Sequence, residues 1–148
     1  MQVRFEEDSR ISTDNPEVII RAEELRGQAK EVLAYVERFQ SVSVLPIKSD
    51  GELIMVPLED VILADIQKTT LLIYTVAGVY QTTETLTHFY QRVGRDFLQI
   101  SKHAIINIHH LNSLSDSFSG NLTAKLTNDL KTEVSRRYVK SLMNYLGI

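Results

Sequence analysis

The chain has 148 residues, 43% of them hydrophobic and 24% charged, which is enough for one globular domain with a real core and a small appendage. It contains no cysteine, so disulfides and thiolate chemistry are excluded, as fits a reducing cytosol. No apolar run approaches the roughly 18 residues of a membrane span, and the charged start MQVRFEEDSR is not a signal peptide.

The net charge of −3 is unevenly spread. Residues 1–94 carry nine basic and fifteen acidic side chains, residues 95–148 seven and four, and three of the four histidines lie in the second part. That asymmetry points to an anionic partner for the C-terminal part, although an ordinary surface also produces such splits.

In chain order, QVRFEE (about 2–7) and EVIIRA (about 17–21) read as short strands, separated by the breaker Asp14-Asn15-Pro16. Leu25, Ala29, Val32, Leu33, Val36 and Phe39 then hold one helical face, predicting a helix over about 22–39 that Gly27 weakens in its first part. SVSVLPIKS leads from loop into strand, and from residue 45 the period is that of strands. VLPIK and ELIMVP flank the hairpin turn Ser49-Asp50-Gly51. DVILADI and LLIYTV flank Gln67-Lys68-Thr69-Thr70, and VYQTTE follows a turn at Ala77-Gly78.

TLTHFYQRVG predicts a short helix with Leu86, Phe89, Tyr90 and Val93 on one face, a Thr cap at 82, 83 or 85, and Gly94 just beyond its end. DFLQIS, AIINI and LNSLSDS are extended, and Ser119-Gly120-Asn121 is a turn. NLTAKLT alternates, with Leu122, Ala124 and Leu126 on one face; Asn128-Asp129 turns the chain into LKTEV. The closing helix sets Val139, Leu142, Met143 and Leu146 on one face, with Ser135 as its N-cap. Arg136 and Arg137 then occupy its first turn, where the helix dipole disfavours cations by a few tenths of a kcal/mol each, on the order given for exposed sites. The expected fold is mostly β (α+β): a ββα leader over 1–44, then a domain over 45–148 with about eight to ten short strands and two or three helices in all.

Enzyme signatures are missing: there is no Gly-rich phosphate loop, no GxSxG and no HxxEH. His109 and His110 are adjacent, so on a strand they point to opposite faces and do not share a metal. Glu59-Asp60, Glu23-Glu24 and Glu6-Glu7-Asp8 read as solvated carboxylates. No catalytic group, metal or cofactor is expected. Tyr74, Tyr80, Phe89, Tyr90 and Phe97 have the chemistry to stack on bases, but their places in helix and strands favour core packing for most of them. What remains is three polar segments at element ends: Gln67-Lys68-Thr69-Thr70, Ser101-Lys102-His103 and Ser135-Arg136-Arg137-Tyr138. Each carries basic or hydroxyl groups suited to phosphates or guanine edges. Loops are polar in any protein, so a single such segment would carry no weight; three of one chemistry do.

FLQISKHAIINIHHLNSL, a Gly-containing turn, and NLTAKLTNDLKTEVSRRYVKSL together resemble the LytTR family of bacterial DNA-binding domains, over about 46–148. The resemblance implies an elongated β-rich fold whose loops enter successive major grooves of a duplex. It implies a cytoplasmic transcription regulator acting at imperfect direct repeats. Carried over by position, the DNA-contacting residues are Lys68, Thr69 and Thr70 at the hairpin, Lys102 and His103 after the strand, and Arg136 and Arg137 in S-R-x-Y. Asn107 in the next strand is marked by the family too, as a DNA contact or as a structural strand residue, and Lys140, one turn beyond the arginines, is a further basic candidate. Arg137 takes the place of the base-reading arginine. Two departures touch base specificity: the middle motif reads Ser101-Lys102-His103, and only Lys68 is basic in the first loop.

With some 45 residues ahead of the domain there is no room for a receiver domain, and the resemblance is to stand-alone regulators. The implied partners are promoter DNA, a co-encoded membrane protein that holds the regulator inactive, and a second copy on DNA. The acidic leader is left three roles: dimerisation, contact with that membrane protein, or screening of the basic face. The alternative is a protein-interaction module whose basic loops meet an acidic protein and bind no DNA.

Overall fold

The computed structural model describes residues 1–13, 16–39 and 44–148. The chain divides into two compact units, Met1–Val42 and Ser43–Ile148. In the first, the described residues form one regular element, helix α1 (Gln28–Phe39). The strands expected at 2–7 and 17–21 are not formed. A strand needs a ladder partner, and an isolated two-stranded hairpin is marginal in water. Val3 and Phe5 are left exposed instead. The helix starts six residues later than expected because Gly27 takes φ +55, a left-handed conformation that cannot continue an α-helix. The breaker at Asp14-Asn15-Pro16 and the loop before residue 44 fall wholly or partly outside the described residues.

The second unit starts with β1 (Val44–Ser49) and β2 (Glu52–Pro57), paired antiparallel with Ser49 opposite Glu52. Asp50 and Gly51 close this two-residue hairpin, both at positive φ (50° and 77°), as a primed turn requires. A five-stranded antiparallel sheet follows, formed by β3 (Val61–Gln67), β4 (Thr70–Thr75), β5 (Val79–Thr82), β6 (Phe97–Gln99) and β7 (Ala104–Asn107), in the spatial order β5-β4-β3-β7-β6. Between β5 and β6 lies α2 (Leu86–Val93), where Thr85 accepts the His88 N–H at 3.1 Å and Gly94 at φ 86 ends the helix. A second sheet, ordered β10-β9-β8, contains β8 (Leu111–Asp116), β9 (Leu122–Leu126) and β10 (Lys131–Val134), and α3 (Arg136–Leu146) closes the chain. Among the described residues, no helix is long and apolar enough to cross a membrane.

The five-stranded sheet is buried on both faces. On one, Leu45 and Ile47 of β1, Val56 of β2, and Leu86, Phe89 and Val93 of α2 pack against Val61, Ala64, Leu71, Ile73 and Ile105. Phe89 meets Phe97 edge to face, with ring centroids 6.3 Å apart. On the other, Ala124, Leu126, Val134 and Leu142 cover Ile62, Leu63, Ile100, Ala104 and Ile106. Double coverage explains why VILA in β3 is an unbroken apolar run, where a strand with one wet face would alternate. The pairing slips between Val61 and Leu63, and this bulge turns Ile62 and Leu63 toward the same core. Tyr74 and Tyr80 pack at the edges of the two cores, while Tyr90 lies on the outer side of α2.

Polar brackets close the Asn107 end of β7, and one of them, His110, reaches the second sheet. His109 and His110 sit in a 3₁₀ turn (Ile108–His110), not on a strand as expected. Two hydrogen bonds tie down the His110 ring: Nε2 lies 2.6 Å from the Glu59 carbonyl and Nδ1 2.9 Å from Thr127 Oγ1. A carbonyl can only accept, so Nε2 carries the proton and Nδ1 of the neutral ring accepts from the hydroxyl. Asn107 is 2% exposed; its Nδ2 donates to the Val61 carbonyl at 2.9 Å and its Oδ1 accepts the His109 N–H at 3.0 Å. Both ends of this amide are hydrogen-bonded inside the fold, which gives Asn107 the structural role that the sequence reading left open beside a DNA contact. Replacing it with alanine leaves the buried Val61 carbonyl without its partner, costing about 1–3 kcal/mol. The expected result for Asn107→Ala is a lowered urea midpoint of unfolding, with DNA affinity of the fraction still folded retained.

Candidate nucleic-acid interface

Three hydrogen-bonded links bring the polar segments to one end of the second unit. Asp65 of β3 pairs with Ala104 of β7, and one step further the Ile66 N–H donates to the His103 carbonyl at 2.8 Å. The β3–β4 hairpin tip therefore stands beside the Ser101-Lys102-His103 turn. The Ser135 N–H donates to the Ile100 carbonyl at 2.9 Å, which sets the start of α3 against the same turn. Finally the Arg136 N–H donates to Asn121 Oδ1 at 2.9 Å, tying α3 to the β8–β9 turn. Asn107 lies at the other end of β7, about 10 Å away at the rise of a strand.

At the tip, Gln67 pairs with Thr70, so the turn proper is Lys68-Thr69. Lys68 takes φ +56, a left-handed conformation that costs a side chain with a Cβ about 1–2 kcal/mol. Glycine or asparagine would relieve that strain, and neither would supply a cation. Lys102 and His103 are exposed. His103 Nδ1 lies 3.0 Å from Asp65 Oδ1, and Gln67 Nε2 donates to the other oxygen of the same carboxylate at 3.2 Å. Asp65 was not singled out in the sequence. Its β3 position, opposite the residue that follows His103, is visible only once the non-local pairing is known. Because a carboxylate accepts, it fixes the Nδ1–H tautomer of the neutral His103 ring and leaves Nε2 for a partner.

Ser135 has the extended backbone of an N-cap, but its side chain makes no capping bond; the cap comes from Asn121, fourteen residues upstream. Asn121 Nδ2 also donates to Glu133 at 3.1 Å. The two arginines differ. The aliphatic stem of Arg136 runs alongside Gly120, where an added Cβ would meet Arg136 Cδ at 3.6 Å. Both arginines and Lys140 are exposed. Leu142 is fully buried beneath them, with Tyr138, Val139 and Leu146 packed around it.

Among the described residues, Lys68, Lys102, Arg136, Arg137 and Lys140 make no ion pair. Elsewhere some cations are paired and some are not: Arg92 is held by both oxygens of Glu84 at 2.6 and 2.7 Å, and Arg4, Arg10 and Arg26 pair with nearby carboxylates, while among the described residues Lys48, Lys125 and Lys131 of the second unit also make no ion pair. In the Arg10 pair, the guanidinium holds the Asp8 carboxyl below its ordinary range. Among the described residues there is no cluster of His, Asp and Glu that would hold a metal.

Residues 51–147 match the family described as the LytTr DNA-binding domain. A solved LytTr DNA-binding domain from Bacillus cereus superposes with a TM-score of 0.66 at 18% identity, covering 73% of this chain and 100% of that one. Among curated proteins, the chain is 31% identical over 113 residues to the sensory transduction protein LytR of Staphylococcus epidermidis, covering 76% of this chain and 44% of that protein. It is 29% identical over 133 residues to the sensory transduction protein LytT of Enterococcus faecalis, covering 89% and 54%. The chain thus spans about half the length of these relatives. It belongs to the LytTR family of DNA-binding domains.

The strained lysine yields a direct test. Lys68→Asn is expected to stabilise the fold by up to about 1 kcal/mol, because asparagine tolerates the left-handed region. Urea unfolding followed by circular dichroism measures the gain; a lowered midpoint would show that Lys68 is held there by contacts within the fold.

Proposed function

We propose that the chain is a transcription regulator that binds double-stranded DNA sequence-specifically at imperfect direct repeats, its loops entering successive major grooves. The observation that supports this most strongly is the gathering of the hairpin tip, the Ser101–His103 turn and the α3 start at one end, with their five cations unpaired. A duplex presents phosphates at regular intervals along a groove edge, and such a set of cations matches it. An acidic protein partner would be the better reading if the basic residues were scattered over the surface.

In this proposal Arg137 reads a base edge with its planar fork, guanine O6 and N7 being the best match. Lys102 and Lys140 hold phosphates as point charges, and Lys68, Thr69 and Thr70 meet the next groove. His103 offers Nε2, which in the neutral ring accepts from the exocyclic amine of adenine or cytosine. Arg136, leaning on the β8–β9 turn, contacts the backbone.

The test is a mobility-shift series with the DNA upstream of the gene encoding this chain. Tight binding relative to random duplex at moderate salt is expected, and equal binding to both would sink the proposal. Arg137→Ala is expected to lose about 1–3 kcal/mol and to relax discrimination at one base pair. Lys140→Ala is expected to weaken binding to all sequences alike and to make the salt slope shallower by about one.

A further inference from the structure

The β8–β9 turn carries a residue that the fold does not use. Phe118 is 87% exposed, the most exposed large apolar side chain of the second unit among the described residues. Single exposed apolar residues are common and by themselves mean little. This one stands on a built support. The Ser117 N–H donates to the Asn121 carbonyl and the Asn121 N–H to the Phe118 carbonyl, both at 3.0 Å, so the turn is closed on itself. Ser119 and Gly120 reverse the chain at φ 56 and φ 80. Asn121 then caps α3 through the Arg136 N–H, and the Arg136 stem lies along Gly120. The backbone that carries the ring is therefore set beside an unpaired arginine, at the end of the unit that holds the other basic segments.

Resting on the DNA-binding reading above, we propose that the Phe118 turn is a fourth DNA-contacting element. The guanidinium of Arg136 meets a phosphate, and the Phe118 ring packs on the adjoining apolar surface of the duplex, a thymine methyl or the carbon edge of a sugar or base. Pairing a cation with an apolar tip suits DNA, whose charged backbone borders apolar groove surface. It suits an acidic protein surface less well, because carboxylates there are surrounded by water and other polar groups. The contact adds affinity without adding a charge, and that gives it a distinct signature in salt.

The experiment uses the full chain and a duplex it has itself selected from a random-sequence pool. Wild type, Phe118→Ala, Phe118→Leu and Arg136→Ala are titrated against that duplex over a series of salt concentrations. Phe118→Ala is expected to bind about tenfold more weakly, the size of one lost aromatic or methyl contact to a base. Its slope of log affinity against log salt should stay that of wild type, since no counterion release is lost. Phe118→Leu should recover part of the loss, and Arg136→Ala should make the slope shallower. Thermal unfolding of Phe118→Ala should match wild type, because the ring touches no core. Replacing thymine by uracil in the duplex separates the two surfaces: a penalty for wild type and none for Phe118→Ala identifies the methyl, and equal affinity identifies the sugar or ring edge. Affinity of Phe118→Ala within twofold of wild type, or a loss accompanied by a shallower slope, overturns the proposal. Failure of wild type to enrich any sequence overturns the DNA-binding reading itself, and the fourth contact with it.

Discussion

The antiparallel pairing of β3 with β7 governs the rest of the second unit. Its partners, Leu63 with Ile106 and Asp65 with Ala104, lie about forty residues apart, so the pairing must offset the entropy of closing a long loop. Burial on both faces supplies that compensation, since Ile62, Ala64, Ile105 and Ile106 are all within 1% of complete burial. The same burial makes register strict. A one-residue slip would send Ile105 and Ile106 to the wrong cores and turn Asp65 inward. The hairpin tip and the Ser101–His103 turn are thus aligned as a consequence of core packing, before any contact between their own side chains is formed.

Hydrogen-bond accounting extends that alignment to the second sheet. Where β6 gives way to the turn, the Ile100 carbonyl is left facing the three-stranded sheet, and the Ser135 N–H satisfies it. At the opposite end, the Val61 carbonyl is satisfied by Asn107 and that of Glu59 by His110. Buried backbone groups demand partners: that of Ile100 comes from the second sheet, that of Val61 from the neighbouring strand of its own sheet, and His110 links Glu59 to Thr127 of the second sheet. The two ends of the sheet are therefore chemically different. One is closed by the side chains of Asn107 and His110, hydrogen-bonded within the fold, and the other leaves Lys68, Lys102, Arg136, Arg137 and Lys140 without an ion pair among the described residues.

Most of this architecture was legible in the sequence, because the second unit is locally consistent. Asp50-Gly51, Thr85, Gly94 and the alternation of LTAKL each match the element they form. What could not be read depends on long-range pairing. The VILA bulge has no signature in an unbroken apolar run. Asp65 looks like an ordinary polar strand residue until β7 brings His103 beside it. Asn107 stood out as a polar residue in an apolar strand, and a single sequence cannot say whether such a residue faces a partner or the backbone of its neighbour. Ser135 is a good capping residue type, but the side chain that caps is Asn121, delivered by the β9–β10 pairing. The leader strands failed for the reason that applies to any short apolar stretch: β propensity describes fit to a sheet, and no ladder partner is present among the described residues of that unit.

Two arginines at a helix N-terminus oppose the helix dipole, and the fold does nothing to reverse that local cost. It overrides it. Leu142 anchors α3 in the core, which is worth far more than the few tenths of a kcal/mol lost to each exposed cation, given about 1.5–3 kcal/mol for a fully buried leucine. Asn121 satisfies the first N–H with a neutral oxygen, where an aspartate would have offset the dipole better and also drawn in the arginines. A neutral cap keeps the helix start defined while leaving both guanidinium groups without a competing carboxylate. Lys68 follows the same logic in its backbone, taking a left-handed turn position that glycine or asparagine would fill at less cost. Local rules are thus broken at both the hairpin tip and the helix start, and both departures keep cations available at the same end of the molecule.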